Sequence, residues 1–155
     1  MATDITAIRD TLKTNVKNQR TPVVITDDEY LEFAIAGCKR LYIDTGVVAN
    51  WDSEYTSGAT PTLSSTLNLN QIQYCITSAE IEFFNSIITY WNTMVSYVTN
   101  ALTISNAFKP YEFIAKLIEV RENKLIQLFH RMTDTANASS ITDITIDNVD
   151  YTFDD

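Results

Sequence analysis

The sequence predicts a predominantly α-helical protein of the all-α class: a small antiparallel bundle with a long central helix, a long Ser/Thr-rich loop and an extended β-type C-terminal arm. The 155 residues include only three Gly and three Pro and are 45% hydrophobic, which suits long regular elements around one core. Apolar residues recur at helical spacing along most of the chain, and only the last dozen residues alternate apolar with polar. We therefore place a helical bundle domain at residues 1–133 and an acidic arm at 134–155.

The first element is a short amphipathic helix over residues 3–18. Its apolar residues are spaced by three or four positions and form one narrow stripe: Ile5, Ile8, Leu12 and Val16. Pro22 then disfavours helix in the residue before it. A stripe this narrow indicates a helix that lies on a neighbour, so we predict that residues 1–20 form a peripheral N-terminal helix.

The second helix begins in the stretch "ITDDEYLEF". Thr26 followed by Glu29 is a capping box, in which each side chain bonds the backbone N–H of the other residue. Asp27 and Asp28 suit the positive end of the helix dipole. Gly46 can adopt the left-handed conformation that ends a helix, so we expect the helix to stop there.

A long loop follows, with the sequence "ANWDSEYTSGATPTLSSTLNLN". It is rich in Ser, Thr and Asn, and it has no Lys or Arg. A loop of this length is either functional or mobile, or it closes one end of a bundle, and the sequence leaves both interpretations open. If the loop over residues 52–68 contacts a partner, the candidate residues are Trp51, Tyr55, Leu63 and Leu67.

Two long helices complete the bundle. The helix predicted over residues 71–100 is apolar on two faces, as a central helix would be, and at roughly 45 Å it should project towards a partner. The closing helix begins near Pro110 and ends near Thr133. We expect an ion pair between Glu112 and Lys116 on its outer face. The predicted inward residues are Phe113, Ile114, Leu117, Ile118, Leu125, Leu128, Phe129 and Met132.

Composition bears on the classes of function. A net charge of −9 argues against a nucleic-acid-binding surface. No signal peptide or membrane span is indicated, which suggests a protein that is cytosolic when made. Cys38 and Cys75 lie far apart and are interpreted as buried free thiols. His130 has no partner at catalytic spacing and no Gly-rich phosphate loop is present, so we expect no enzyme, no cofactor and no metal site.

The C-terminal stretch "ITIDNVDYTFDD" has the alternation of a β-strand. An isolated strand cannot pair its own backbone groups and needs the edge of another sheet, which a neighbouring subunit can offer. The alternatives are a local hairpin across Asp147 and Asn148, or a disordered acidic tail. The candidate partner-binding residues of the arm are Ile144, Ile146, Val149, Tyr151 and Phe153.

Three segments occur in a recognisable order. The first is "TDDEYLEFAIAGCKRLYIDTG", a capped helix that ends on a Tyr-x-x-x-Gly turn. The second is "AEIEFFNSIITYWNTMVSYVTNALTIS", a long aromatic helix followed by a short extended piece. The third is the closing helix "KPYEFIAKLIEVRENKLIQLFHRM". Over residues 24–132 this order resembles the head–tail connector, or adaptor, proteins of tailed bacteriophages.

The resemblance implies a structural virion protein of the phage neck, assembled in the host cytoplasm. Copies of the chain would form a ring, dodecameric in that family, beneath the portal protein. The ring would bind a tail or tail-completion protein and pass double-stranded DNA without binding it specifically. The arm would dock on the portal or on a neighbouring subunit. The alternative is a small cytosolic helical protein-binding or regulatory module whose acidic tail is disordered.

Overall fold

The computed structural model describes residues 2–19, 24–46, 51–98 and 108–137, and within these ranges the chain is predominantly helical with one small sheet. The elements in chain order are β1 (Thr3–Asp4), α1 (Ile5–Val16), α2 (Asp27–Thr45), α3 (Trp51–Glu54), β2 (Tyr55–Thr56), β3 (Thr62–Leu63), α4 (Leu69–Val98) and α5 (Phe108–Asn137).

Helix α1 contributes one buried stripe to the core. Asp4 caps it by accepting hydrogen bonds from the backbone N–H and the hydroxyl of Thr6. The other face of the helix is solvated, but the narrow stripe packs completely against α2 and α4. The four stripe residues are all buried, with exposed fractions of 3% or less: Ile5, Ile8, Leu12 and Val16.

Helix α2 begins and ends as the sequence predicts. The capping box between Thr26 and Glu29 is formed, and Gly46 ends the helix at a φ of 61°, in the left-handed region. In the middle of α2, Gly37 lies against the backbone of α4. A Cβ atom at this position would lie 2.8 Å from the backbone nitrogen of Ala79, so only glycine permits this close approach.

The segment between α2 and α4 carries a three-stranded sheet in the order β1-β3-β2, with both pairings antiparallel. Thr3 and Tyr55 both lie opposite Leu63, on either side of the central strand. The pairing of this segment with the chain before α1 was not foreseen.

Helix α4 is central, as predicted, and it packs against α1, α2 and α5. Residues 74–81 are buried without interruption, because neighbours cover the helix on several sides here. The prediction that part of this helix projects concerns its second half, whose side chains from residue 92 onwards lie outside the described set. Helix α5 continues to Asn137, so the helical part of the chain extends past the boundary predicted at residue 133.

Phe113 corrects the predicted inward face of α5. Its side chain is 57% exposed, although Ile114, Leu125 and Leu128 are buried as expected. A helix buries a stripe, and Phe113 falls just outside the side that meets α4. The Glu112–Lys116 ion pair is also absent from the part of the chain that the structure describes.

Candidate interaction surfaces

The candidate contact residues of the loop occupy two different environments. Leu63 and Leu67 lie in the core, with exposed fractions of 0% and 6%, so their side chains are not on the surface. Trp51 and Tyr55 are half-buried and stack on each other with ring centroids 5.3 Å apart. Tyr42 of α2 packs edge-on against Trp51, and burial raises the pKa of Tyr42 to about 12.

Hydrogen bonds hold this loop against the rest of the bundle. The Glu54 carboxylate accepts from the backbone N–H of Ser65 at 3.0 Å and from its hydroxyl at 2.8 Å. The Thr3 hydroxyl donates to the carbonyl of Ser65 and accepts from the N–H of Leu67. The geometry matches a loop that closes one end of the bundle, and it leaves residues 57–60 exposed at the tip.

The predicted partner-binding residues of the arm lie outside the described residues, as does the whole of 138–155. These residues are Ile144, Ile146, Val149, Tyr151 and Phe153.

The outer surface of α5 presents the first exposed apolar patch. Phe113 and Val120 lie two helical turns apart on one side of the helix, and they are 57% and 56% exposed. Lys116 and Lys124 lie on the same side, at spacings of three and four residues. We call these four residues the α5 stripe. Neither lysine forms an ion pair with any other residue in the described ranges.

Acidic residues also lie on the exposed surface of α5: Glu112, Glu119, Glu122 and Asp134. Glu112 and Glu119 lie four residues before and three residues after Lys116, so they border the stripe on one side.

A second exposed apolar patch surrounds a cavity of about 350 Å³ formed by α2, α4 and α5. Leu125, Ile126 and Phe129 line one part of it, and Ile126 is 54% exposed. The polar lining is a short network. The Asp44 carboxylate accepts hydrogen bonds from the hydroxyl of Tyr74 and from Arg40 of its own helix. Burial and the contact with Asp44 raise the pKa of Tyr74.

A buried polar cluster joins three helices. Glu80 of α4 is 4% exposed at its side chain and accepts from Arg121 of α5 at 2.7 Å. Its other oxygen accepts from the amide of Asn15 of α1, also at 2.7 Å. The Arg121 guanidinium lies 6.0 Å from the ring centroid of Phe84. Each oxygen of the buried carboxylate thus has a donor, which suits a structural role.

His130 and the two cysteines are the residues that the sequence analysis considered for chemistry. His130 is exposed on α5 and contacts Phe129 of the same helix edge-on. Cys38 and Cys75 are buried and meet between α2 and α4, where their mutual hydrogen bond and burial raise the pKa of Cys75. Within the described ranges, no three His, Cys, Asp or Glu side chains group closely enough to hold a metal ion.

Comparisons with protein-family models, with curated proteins and with solved structures found no match to this chain. Among the described helices, none combines the length and the apolar character needed to cross a bilayer. The resemblance to connector proteins therefore continues to depend on the order and character of the helices.

Proposed function

We propose that this chain is a subunit of the head–tail connector of a tailed bacteriophage. In this proposal, copies of the chain form a ring that binds the portal protein above and a tail or tail-completion protein below. The ring continues the channel for double-stranded DNA in the neck of the virion. The arm over residues 138–155 docks on the portal or on a neighbouring copy.

The observation that carries the proposal is the presence of two exposed apolar patches on different sides of α5. A head-to-tail ring needs two unlike surfaces on each subunit, since every copy meets one neighbour with each of them. Phe113 and Val120 form one patch, and Ile126 with Phe129 at the cavity forms the other. Exposed apolar patches commonly mark protein interaction sites. The capped α2, the long α4 and the closing α5 also occur in the order typical of connector proteins.

A small helical binding module remains the second candidate function, because the α5 stripe suits a helical or extended partner equally well. The two candidates differ in what the purified chain assembles into. A connector subunit forms closed rings, alone or when portal is added. A binding module stays a monomer or dimer and ignores the portal.

The test is mass photometry of the full chain, alone and mixed with a candidate portal protein. Val120→Asp should abolish rings, because a charge would enter the subunit contact while the fold is kept at this exposed position. Asn18→Asp is the matched control, since it adds the same charge at an exposed position outside α5. If rings still form in Val120→Asp, the contact between subunits lies elsewhere on the chain. A persistent monomer or dimer in all mixtures would favour the binding module.

A further inference from the structure

The α5 stripe has the chemistry of a docking surface for an acidic, apolar segment. Two large apolar side chains, Phe113 and Val120, are more than half exposed on a helix that has a buried face of its own. Lys116 and Lys124 flank them and have no ion partner in the described ranges. A complementary partner would bring apolar side chains to the centre of the stripe and carboxylates to its edges.

The chain itself contains a segment of this composition immediately after α5. Residues 138–155 contain no Lys or Arg, and carboxylates and apolar side chains are interleaved along them. The carboxylates are Asp143, Asp147, Asp150, Asp154 and Asp155. The apolar side chains are the arm residues from Ile144 to Phe153 that were predicted to bind a partner.

The length of the segment suits the stripe. Eighteen residues in extended conformation reach roughly 60 Å. The return from Asn137 to Phe113 along the helix axis is about 36 Å at 1.5 Å per residue. The difference leaves several residues for reversing the chain direction. Ile144 to Phe153 would then span about 30 Å, enough to cover the whole stripe.

We propose that residues 138–155 dock on the α5 stripe of their own chain. Docking within the chain is favoured over docking on a second copy because a short tether gives an effective concentration on the order of millimolar, well above usual protein concentrations. Aspartates of the segment pair with Lys116 and Lys124, while its apolar side chains cover Phe113 and Val120. This contact belongs to the free subunit, whereas in the proposed ring a neighbouring subunit occupies the stripe and the segment docks on the portal or on a neighbouring copy. Ring formation would therefore have to displace the segment from the stripe first.

The experiment is paramagnetic relaxation enhancement on the full chain. A nitroxide is attached to Asn148→Cys, and the native thiols Cys38 and Cys75 stay unlabelled because they are buried. The chain without the Asn148→Cys substitution, treated with the same reagent, shows whether either native thiol is labelled. The backbone amide signals of Lys116, Val120 and Lys124 should lose most of their intensity, and reduction of the nitroxide should restore it.

Reversing the charge of the two stripe lysines tests whether they bind the aspartates of residues 138–155. Lys116→Glu with Lys124→Glu should restore the amide signals, because the aspartates would be repelled. Lys17→Glu with Lys39→Glu is the matched control, since both residues are exposed lysines on other parts of the bundle and the net charge changes equally. In this control the loss of intensity should persist. In the labelled chain that keeps all of its lysines, high salt should weaken the loss of amide signal intensity.

A second sample separates docking within a chain from docking between chains. Isotope-enriched chains without the nitroxide are mixed with labelled chains that are not enriched. We expect no loss of signal intensity in this mixture. A loss in the mixture would mean that the segment docks on another copy, and it would overturn the proposal. An undiminished α5 signal in the labelled chain, or a loss that persists in the Lys116/Lys124 variant, would overturn it as well.

Discussion

The buried ion pair between Glu80 and Arg121 gives a quantitative prediction about the packing of α4 against α5. The change is Arg121→Met, which keeps most of the apolar stem of the side chain and removes its charge and donors. Glu80 then keeps only the hydrogen bond from Asn15, at 2.7 Å. One oxygen of a carboxylate that is 4% exposed loses its donor, and the charge has no counter-ion.

The magnitude follows from the burial of the two partners. Removing one member of a fully buried ion pair costs about 3–5 kcal/mol, because the remaining charge is neither solvated nor paired. Arg121 is 27% exposed, so water can reach its place in the variant, and Asn15 still donates. We therefore expect Arg121→Met to lower the free energy of unfolding by about 2–3 kcal/mol. Glu80→Gln combined with Arg121→Met should be less destabilised than Arg121→Met alone.

Urea denaturation at pH 7, followed by circular dichroism, measures all four members of this double-mutant cycle. The matched control is Lys13→Met, which removes an ion pair whose partners are 36% and 67% exposed, and it should cost less than about 1 kcal/mol. If Arg121→Met costs no more than this control and the cycle gives no coupling energy, the buried pair does not hold α5 to α4, and our interpretation of the cluster is refuted.

Four further outcomes are expected. Gly37→Ala should lower the free energy of unfolding by about 2–3 kcal/mol or more, because its Cβ would enter the backbone of α4; thermal unfolding measures this. Gly46→Ala should cost about 1 kcal/mol in the same assay, since the site is open but has a φ of 61°. Cys38 and Cys75 should react with a chromogenic disulfide reagent at pH 8 only after denaturant is added, because both are buried and the pKa of Cys75 is raised. Hydrogen bonds from the α2 cap lower the pKa of Glu29, so its stabilising effect is present above the ordinary value of 4.5 and is lost as the pH falls through the folded-state pKa. Accordingly, Glu29→Gln should reduce stability at pH 7 and have little effect in acid, as denaturation at each pH would show.

Local patterns predicted the helices well. The capping box at Thr26, the left-handed end at Gly46 and the long helix after residue 69 depend on neighbours in the chain, and the sequence contains all of those neighbours. The stripe from Ile5 to Val16 was also recognised, but the depth of its burial depends on α2 and α4, which a helical period does not reveal.

Contacts between distant residues were the ones that pattern could not predict. Glu80 was not among the predicted functional or contact residues, yet its partners are Asn15 and Arg121 on two other helices. Cys38 and Cys75 were regarded as isolated, whereas the packing of α2 on α4 brings them together. Neither pairing can be recognised from the spacing of residues in the sequence, since each depends on how whole helices pack against one another.

The candidate surface was anticipated in part. Trp51 and Tyr55 remain accessible to a partner, while Leu63 and Leu67 lie in the core because the loop folds back as a sheet. The α5 stripe was missed, since Phe113 was assigned to the buried face. A signal was present in the sequence: Phe113 and Val120 fall on the side of the helix that also carries Lys116 and Lys124, which a buried face would not tolerate.

The pairing of β1 with β3 joins residues that are far apart in the chain. Thr3 lies opposite Leu63, so this contact closes a loop that contains all of α1 and α2. Both helices can form from local hydrogen bonds, whereas pairing the strands requires this loop to close. We therefore expect the strands to form after the helices during folding, so that weakening them speeds unfolding more than it slows folding. On this expectation, the few residues before α1 affect the lifetime of the native state more than the speed at which it forms.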